Sequence, residues 1–266
     1  MTASLKGQIT WRHDESVAHV TLSNVGHLNA ISVAMWTQLR ECMQAIAAQT
    51  SVRVVVIRGS DGAFAAGADI EEFQTQRTTR DQVRHYHLDL IAPALRSIAH
   101  CPVPVVAAID GPCVGGGLEI ASLCDLRIAS DRSRFGVPIA KLGFPMAPHE
   151  AAGLVRLVGP AVAAELLLEG RIVDAQEAYQ KGIVQRVVPL SQWEYEVAQS
   201  VARIRAGAPL AARMNKRLIH LFSAIDDGAV LSPAQMEACW DFANTQDYRR
   251  GIRAFLDKTT PDFEDN

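Results

Sequence analysis

The residues best placed to do chemistry lie in Asp110-Gly111-Pro112-Cys113-Val114-Gly115-Gly116-Gly117-Leu118-Glu119-Ile120-Ala121, where three consecutive glycines leave a strand-like run and enter a helix-like one. Glycines at such a turn let backbone N–H groups approach a ligand closely and set them at the positive end of the helix dipole, so something negative is expected there. The dinucleotide fingerprint would need Gly or Ala at 120 and finds Ile120, and a phosphate-binding P-loop would need a GK[ST] that is absent. Glu119 sits in the first helical turn, where a carboxylate is either a dipole-stabilising surface group or a working one. A second turn of small residues, Asp61-Gly62-Ala63-Phe64-Ala65-Ala66-Gly67-Ala68-Asp69-Ile70, also follows a buried apolar run. Two strand-end turns with free N–H groups make a two-donor oxyanion hole.

Other chemistries find less support. His149-Glu150-Ala151-Ala152-Gly153 resembles the zinc motif HExxH but has Gly153 in place of the second ligand, so no metal is expected. His85 and His87 are two apart on a predicted helix, do not share a face, and read as solvated or partly packed. There is no GxSxG, and Ser122 and Cys113 lack a visible His–Asp partnership. Five cysteines without CxxC spacing read as reduced packing residues.

The elements that must hold the glycine turns are legible from patterning. Ile9–Trp11 and Val17–Leu22 predict a hairpin; Ser32 caps a helix with Trp36, Leu39, Met43 and Ile46 on one face; 52–57 reads as a strand. A helical stripe over 81–99 precedes the strand Val105–Ile109, and Leu118–Ser122 reads as a short helix. Strands follow at 126–129, 135–137 and 183–188, with helices near 149–158, 160–168 and 174–181. From Gln192 onward the pattern is helical throughout, which predicts an α/β core over 1–195 and a helical region over 196–266.

Composition sets the outer limits. The 266 residues are 48% hydrophobic and 21% charged with a net charge of −3, which fits a globular chain without a broad field for nucleic acid or anionic lipid. The apolar runs are strand-length, short of the roughly 20 residues of a spanning helix. The N-terminus lacks both a secretory apolar stretch and an Arg-rich transit pattern, so a cytoplasmic location is expected.

Five ordered segments, Leu28-Asn29-Ala30-Ile31-Ser32, Phe64 through Ile70, Gly111 through Glu119, Cys124-Asp125-Leu126-Arg127-Ile128-Ala129 and Arg250 through Lys258, closely resemble the enoyl-CoA hydratase/isomerase, or crotonase, superfamily. The resemblance implies a spiral of ββα turns with a C-terminal α-helical trimerisation domain, assembled as a homotrimer or homohexamer. It implies acyl-CoA thioester substrates and no cofactor other than the coenzyme A of the substrate. The Ala68 and Gly116 amides match the family's oxyanion hole, and Glu119 matches the glutamate that activates water. Backbone around Ala66, Asp69 and Ile70 would hold the adenine, with Phe255 and Lys258 touching the nucleotide of a neighbouring subunit. His27 stands where the family's basic residue precedes the Leu-Asn-Ala motif.

The sequence departs from that pattern at one catalytic position. The family's second glutamate would follow Pro138, and this chain has Ile139. Either His149 or Glu150 replaces it, or both merely begin a helix. An apolar Ile139 dries the pocket, which raises the Glu119 pKa, and removes a like charge, which lowers it. Hydration of an enoyl-CoA is the leading expectation, with isomerisation, decarboxylation and a hydratase-lyase reaction open. A non-catalytic acyl-CoA-binding protein is the alternative of another class.

Overall fold

The computed structural model describes residues 7–223 and 232–265. In chain order the elements are β1 (Gln8–Asp14), β2 (Val17–Ser23), α1 (Val33–Ala47), β3 (Val54–Gly59), α2 (Phe73–Gln76), α3 (Arg80–His85), α4 (Ala92–Ala99), β4 (Val105–Ile109), β5 (Pro112–Val114), α5 (Gly116–Ser122), β6 (Leu126–Ser130) and β7 (Arg134–Gly136). They continue as α6 (Pro148–Ala164), β8 (Ile172–Asp174), α7 (Ala175–Gln180), β9 (Arg186–Val188), α8 (Leu190–Arg205), α9 (Pro209–Ser223), α10 (Pro233–Ala238) and α11 (Gln246–Asp257). The main sheet has the order β1-β2-β3-β4-β6-β9, with the β1–β2 hairpin antiparallel and the remaining pairs parallel. A smaller sheet, β5-β7-β8, lies beside it.

Continuous apolar strands mark a sheet covered on both faces. Val55 and Ile57 of β3 point into the large core with α1 and α4, while Val54 and Val56 point to the other face, against Trp193, Val197 and Val201 of α8. The Trp193 indole donates to the Ile128 carbonyl at 3.2 Å, which ties α8 to the sheet. The expected division at 195/196 therefore falls inside one continuous helix that belongs to the core, and α9 begins only after Gly207.

Other differences have local causes. The strand expected at 183–188 is reduced to Arg186–Val188, because Gly182 (φ 74) lets the Ile183 amide close back on the Ala178 carbonyl at 2.9 Å and finish α7. The strands β5 and β8, three residues each, are too short to leave a period in the sequence. The helical stretch Pro148–Glu169, 22 residues at mean hydropathy 1.7, is long and apolar enough by length and composition to cross a membrane, an exception to strand-length apolar runs. Its backbone leaves the helix at Gly159 (φ 74, ψ 166), just before Pro160.

Candidate active site

The first turn of the site is held by the loop before α1. Asn29, itself at positive φ, donates from Nδ2 to the carbonyls of Ser60 (2.8 Å) and Ala63 (2.7 Å) and accepts from the Asn24 amide at 2.9 Å. The Ile31 amide donates to Gly67 O at 2.7 Å, and Ile31 O accepts from the Asp69 amide at 3.0 Å. In this parallel bridge the residue between the two partners, Ala68, has its own amide turned away from Ile31.

The second turn runs from β5 into α5. Gly115, at φ 50, donates to the Gly136 carbonyl at 2.9 Å, and Gly116 opens the helix, so its amide has no acceptor one turn earlier. The two turns abut. A Cβ on Gly117 would stand 2.4 Å from the Ala65 carbonyl oxygen, and one on Gly116 would stand 3.1 Å from the Trp36 ring. Among the described residues neither the Ala68 nor the Gly116 amide meets a protein acceptor, and both residues line one cavity of ≈ 150 Å³. Gly117→Ala is expected to force these turns apart, at a cost of about 1–3 kcal/mol by overpacking, which denaturant unfolding would measure.

Two carboxylates open onto that cavity. Glu119, 8% exposed, takes no hydrogen bond on its carboxyl from any described residue. Burial pushes its pKa well above the usual carboxylate range; the negative charge of Glu150 adds to the rise, and the Arg77 cation opposes it. Glu150 lies in the first turn of α6, 2% exposed. Its Oε2 accepts from the Ala147 amide (3.3 Å), and its Oε1 accepts from His87 Nδ1 (2.8 Å). Glu150 therefore both caps the helix and faces the cavity, whereas His149, its neighbour in the expectation, is exposed and does not line it. Ile139 supplies an apolar wall where the resemblance has the second glutamate. Drying and a restored like charge thus act in the same direction on Glu119.

The remaining expected residues divide. Ala66 and Ile70 line the cavity. Asp69 does not; its side chain caps the turn Ile70–Glu72, and its backbone N–H and C=O are both engaged, with Ile31 and Glu72. Phe255 and Lys258 lie at the end of α11 and do not line the cavity, and Phe255 is 83% exposed.

Three residues of the site were not legible in the sequence. A π turn at Tyr86–Ile91 widens the helix, so His87, read as a solvated or partly packed residue, reaches Glu150 with only 13% of its side chain exposed. Tyr86 is buried in the cavity wall, and burial pushes its phenol up. Arg77 lies over the rings of Phe73 and Phe144 at 4.1 and 4.4 Å and of Tyr86 at 5.2 Å.

Comparison with known proteins places the chain in a family. The enoyl-CoA hydratase/isomerase family model matches residues 12–266. The chain is 31% identical over 256 residues to the 2,3-dehydroadipyl-CoA hydratase of Escherichia coli, covering 94% of this chain and 96% of that protein. It superposes with a TM-score of 0.93 on an enoyl-CoA hydratase/carnithine racemase from Magnetospirillum magneticum, 44% identical, covering 97% of this chain and 96% of that one. A Bacillus anthracis enoyl-CoA hydratase gives a TM-score of 0.87 at 29% identity, covering 97% and 99%. The chain belongs to the enoyl-CoA hydratase/isomerase family and is a crotonase-type enzyme of acyl-CoA thioesters.

Proposed function

We propose that this enzyme adds water reversibly across the α,β double bond of a 2-enoyl-CoA, with Glu119 and Glu150 as its two carboxylates. The observation that carries this reading is that both acids open on the cavity that holds the Ala68 and Gly116 amides. Hydration needs one ionised carboxyl to take a proton from water and one protonated carboxyl to deliver a proton to the α-carbon. The cycle therefore starts with a single proton on the pair, carried by the acid that delivers it. With that proton on Glu150, Glu119 takes a proton from water as its oxygen bonds to the β-carbon. The double-bond electrons move into a thioester enolate held by the two amides, and Glu150 protonates the α-carbon. Return of the proton from Glu119 to Glu150 resets the pair. Each amide of this kind is worth roughly 10²–10³ in rate.

The reaction draws on no cofactor beyond the coenzyme A of its substrate. The exposed apolar side chains Ile252, Phe255 and Leu256 on α11 favour assembly through this helix, as the trimer or stacked trimers of the family require. Mass analysis of straight-chain 2-enoyl-CoA thioesters after incubation tests the chemistry. Gain of one water is the expected product. An unchanged mass with a displaced double bond would replace hydration by isomerisation, and loss of carbon dioxide from a carboxylated thioester without water gain would replace it by decarboxylation.

A further inference from the structure

Arg77 is the feature of the cavity that enolate chemistry does not require. Its guanidinium is half-buried and lines the cavity, and among the described residues it forms no ion pair or side-chain hydrogen bond. Phe73 and Phe144 lie 4.1 and 4.4 Å from it and Tyr86 5.2 Å. Rings that occupy the face of a guanidinium fix its plane and leave its N–H edge as the only route to a partner; that edge is a planar fork matched to a carboxylate. The cation lines the same cavity as Glu119, Glu150 and the Ala68 and Gly116 residues, and its charge acts on both acids. An uncharged acyl chain would gain nothing from a half-buried cation there, and a carboxylated one would otherwise face two acids unaided.

We propose that Arg77, held by Phe73, Phe144 and Tyr86, binds a carboxylate carried on the acyl group, so that the preferred substrate is the coenzyme A thioester of a dicarboxylic acid. This rests on the acyl-CoA reading of the cavity and deepens it by naming the acyl class. Ile139, Leu142 and Met146, which line the same cavity, are apolar and suit the methylenes between thioester and carboxylate.

Calorimetric binding of saturated thioesters tests the proposal without requiring turnover: glutaryl-CoA against pentanoyl-CoA, and adipyl-CoA against hexanoyl-CoA. The wild type is expected to bind at least one carboxylated member about 10–100-fold more tightly than its methyl-ended partner. Arg77→Gln is expected to abolish that ratio while leaving the methyl-ended thioesters within a few-fold, and Arg77→Lys, which keeps the charge and loses the fork, to retain part of it. Equal binding of both partners by the wild type overturns the proposal, and so does an equal loss for both in Arg77→Gln, which would make Arg77 a support for the acids or the ring cluster. Should Arg77→Gln fail to fold, the wild-type ratio and Arg77→Lys decide. Absence of hydration in the mass assay would overturn the reaction and leave this ratio to be read independently.

Discussion

Glu119→Gln is expected to lower kcat by about 10²–10⁴-fold, the range for a positioned acid or base, while the protein becomes no less stable. The two effects share one cause. Burial and the Glu150 charge raise the native pKa of Glu119 above that of the unfolded chain. Between those two values the folded state binds more proton than the unfolded state, so Glu119 withdraws stability as pH rises through its native value. Gln carries no such liability. The melting temperature of Glu119→Gln relative to wild type should therefore grow as pH rises above the ordinary carboxylate range and level off once pH has passed the native value of Glu119. Activity of the wild type should rise with pH along a limb set above the ordinary carboxylate range. A variant that melts progressively lower than wild type across that interval would contradict the burial argument, and a flat pH–rate profile would contradict the role.

Glu150→Gln separates the catalytic reading of that residue from a merely structural one. Gln keeps one oxygen to accept from the Ala147 amide, and its NH2 can donate to His87 Nδ1 in the tautomer that carries its proton on Nε2, so the helix start and the packing should survive. The charge is lost, and with it the acid for the α-carbon. The expected result is a fall in kcat of about 10²–10⁴-fold together with a downward shift in the titration of the Glu119 carboxyl, followed by difference infrared spectroscopy, since one of the two causes raising it has gone. Burial remains, so that titration stays above the ordinary carboxylate range. Near-normal turnover would leave Glu150 as a helix cap alone.

The sequence displays those parts of the site whose chemistry is local. Three glycines in a row announce a close approach, and Gly117 against Ala65 is that approach. Ser32 followed by a stripe at Trp36, Leu39, Met43 and Ile46 specifies α1, and the structure caps it through Met35 N. The segment Cys124-Asp125-Leu126-Arg127 turns out to be scaffold. Arg127 is buried and donates to the carbonyls of Ala121 and Cys124, and Asp125 receives Lys216 of α9 at 2.7 Å. What stayed hidden depends on convergence across the chain. His87 and Glu150 are 63 positions apart, and the π turn that aims His87 inward breaks the 3.6-residue count on which a helical face is judged. At 139 the sequence shows a carboxylate missing; that α6 carries another back into the same cavity is a property of packing, which spacing does not encode.

The central claim is that the Ala68 and Gly116 amides together hold the thioester oxygen while Glu119 faces the carbons beside it. A crystal structure with a bound saturated acyl-CoA measures this directly. The predicted result is one thioester oxygen about 2.7–3.1 Å from both nitrogens, with the Glu119 carboxyl on the α- or β-carbon. A thioester oxygen that reaches only one amide or neither, or a Glu119 carboxyl pointed away from the acyl chain, would contradict it.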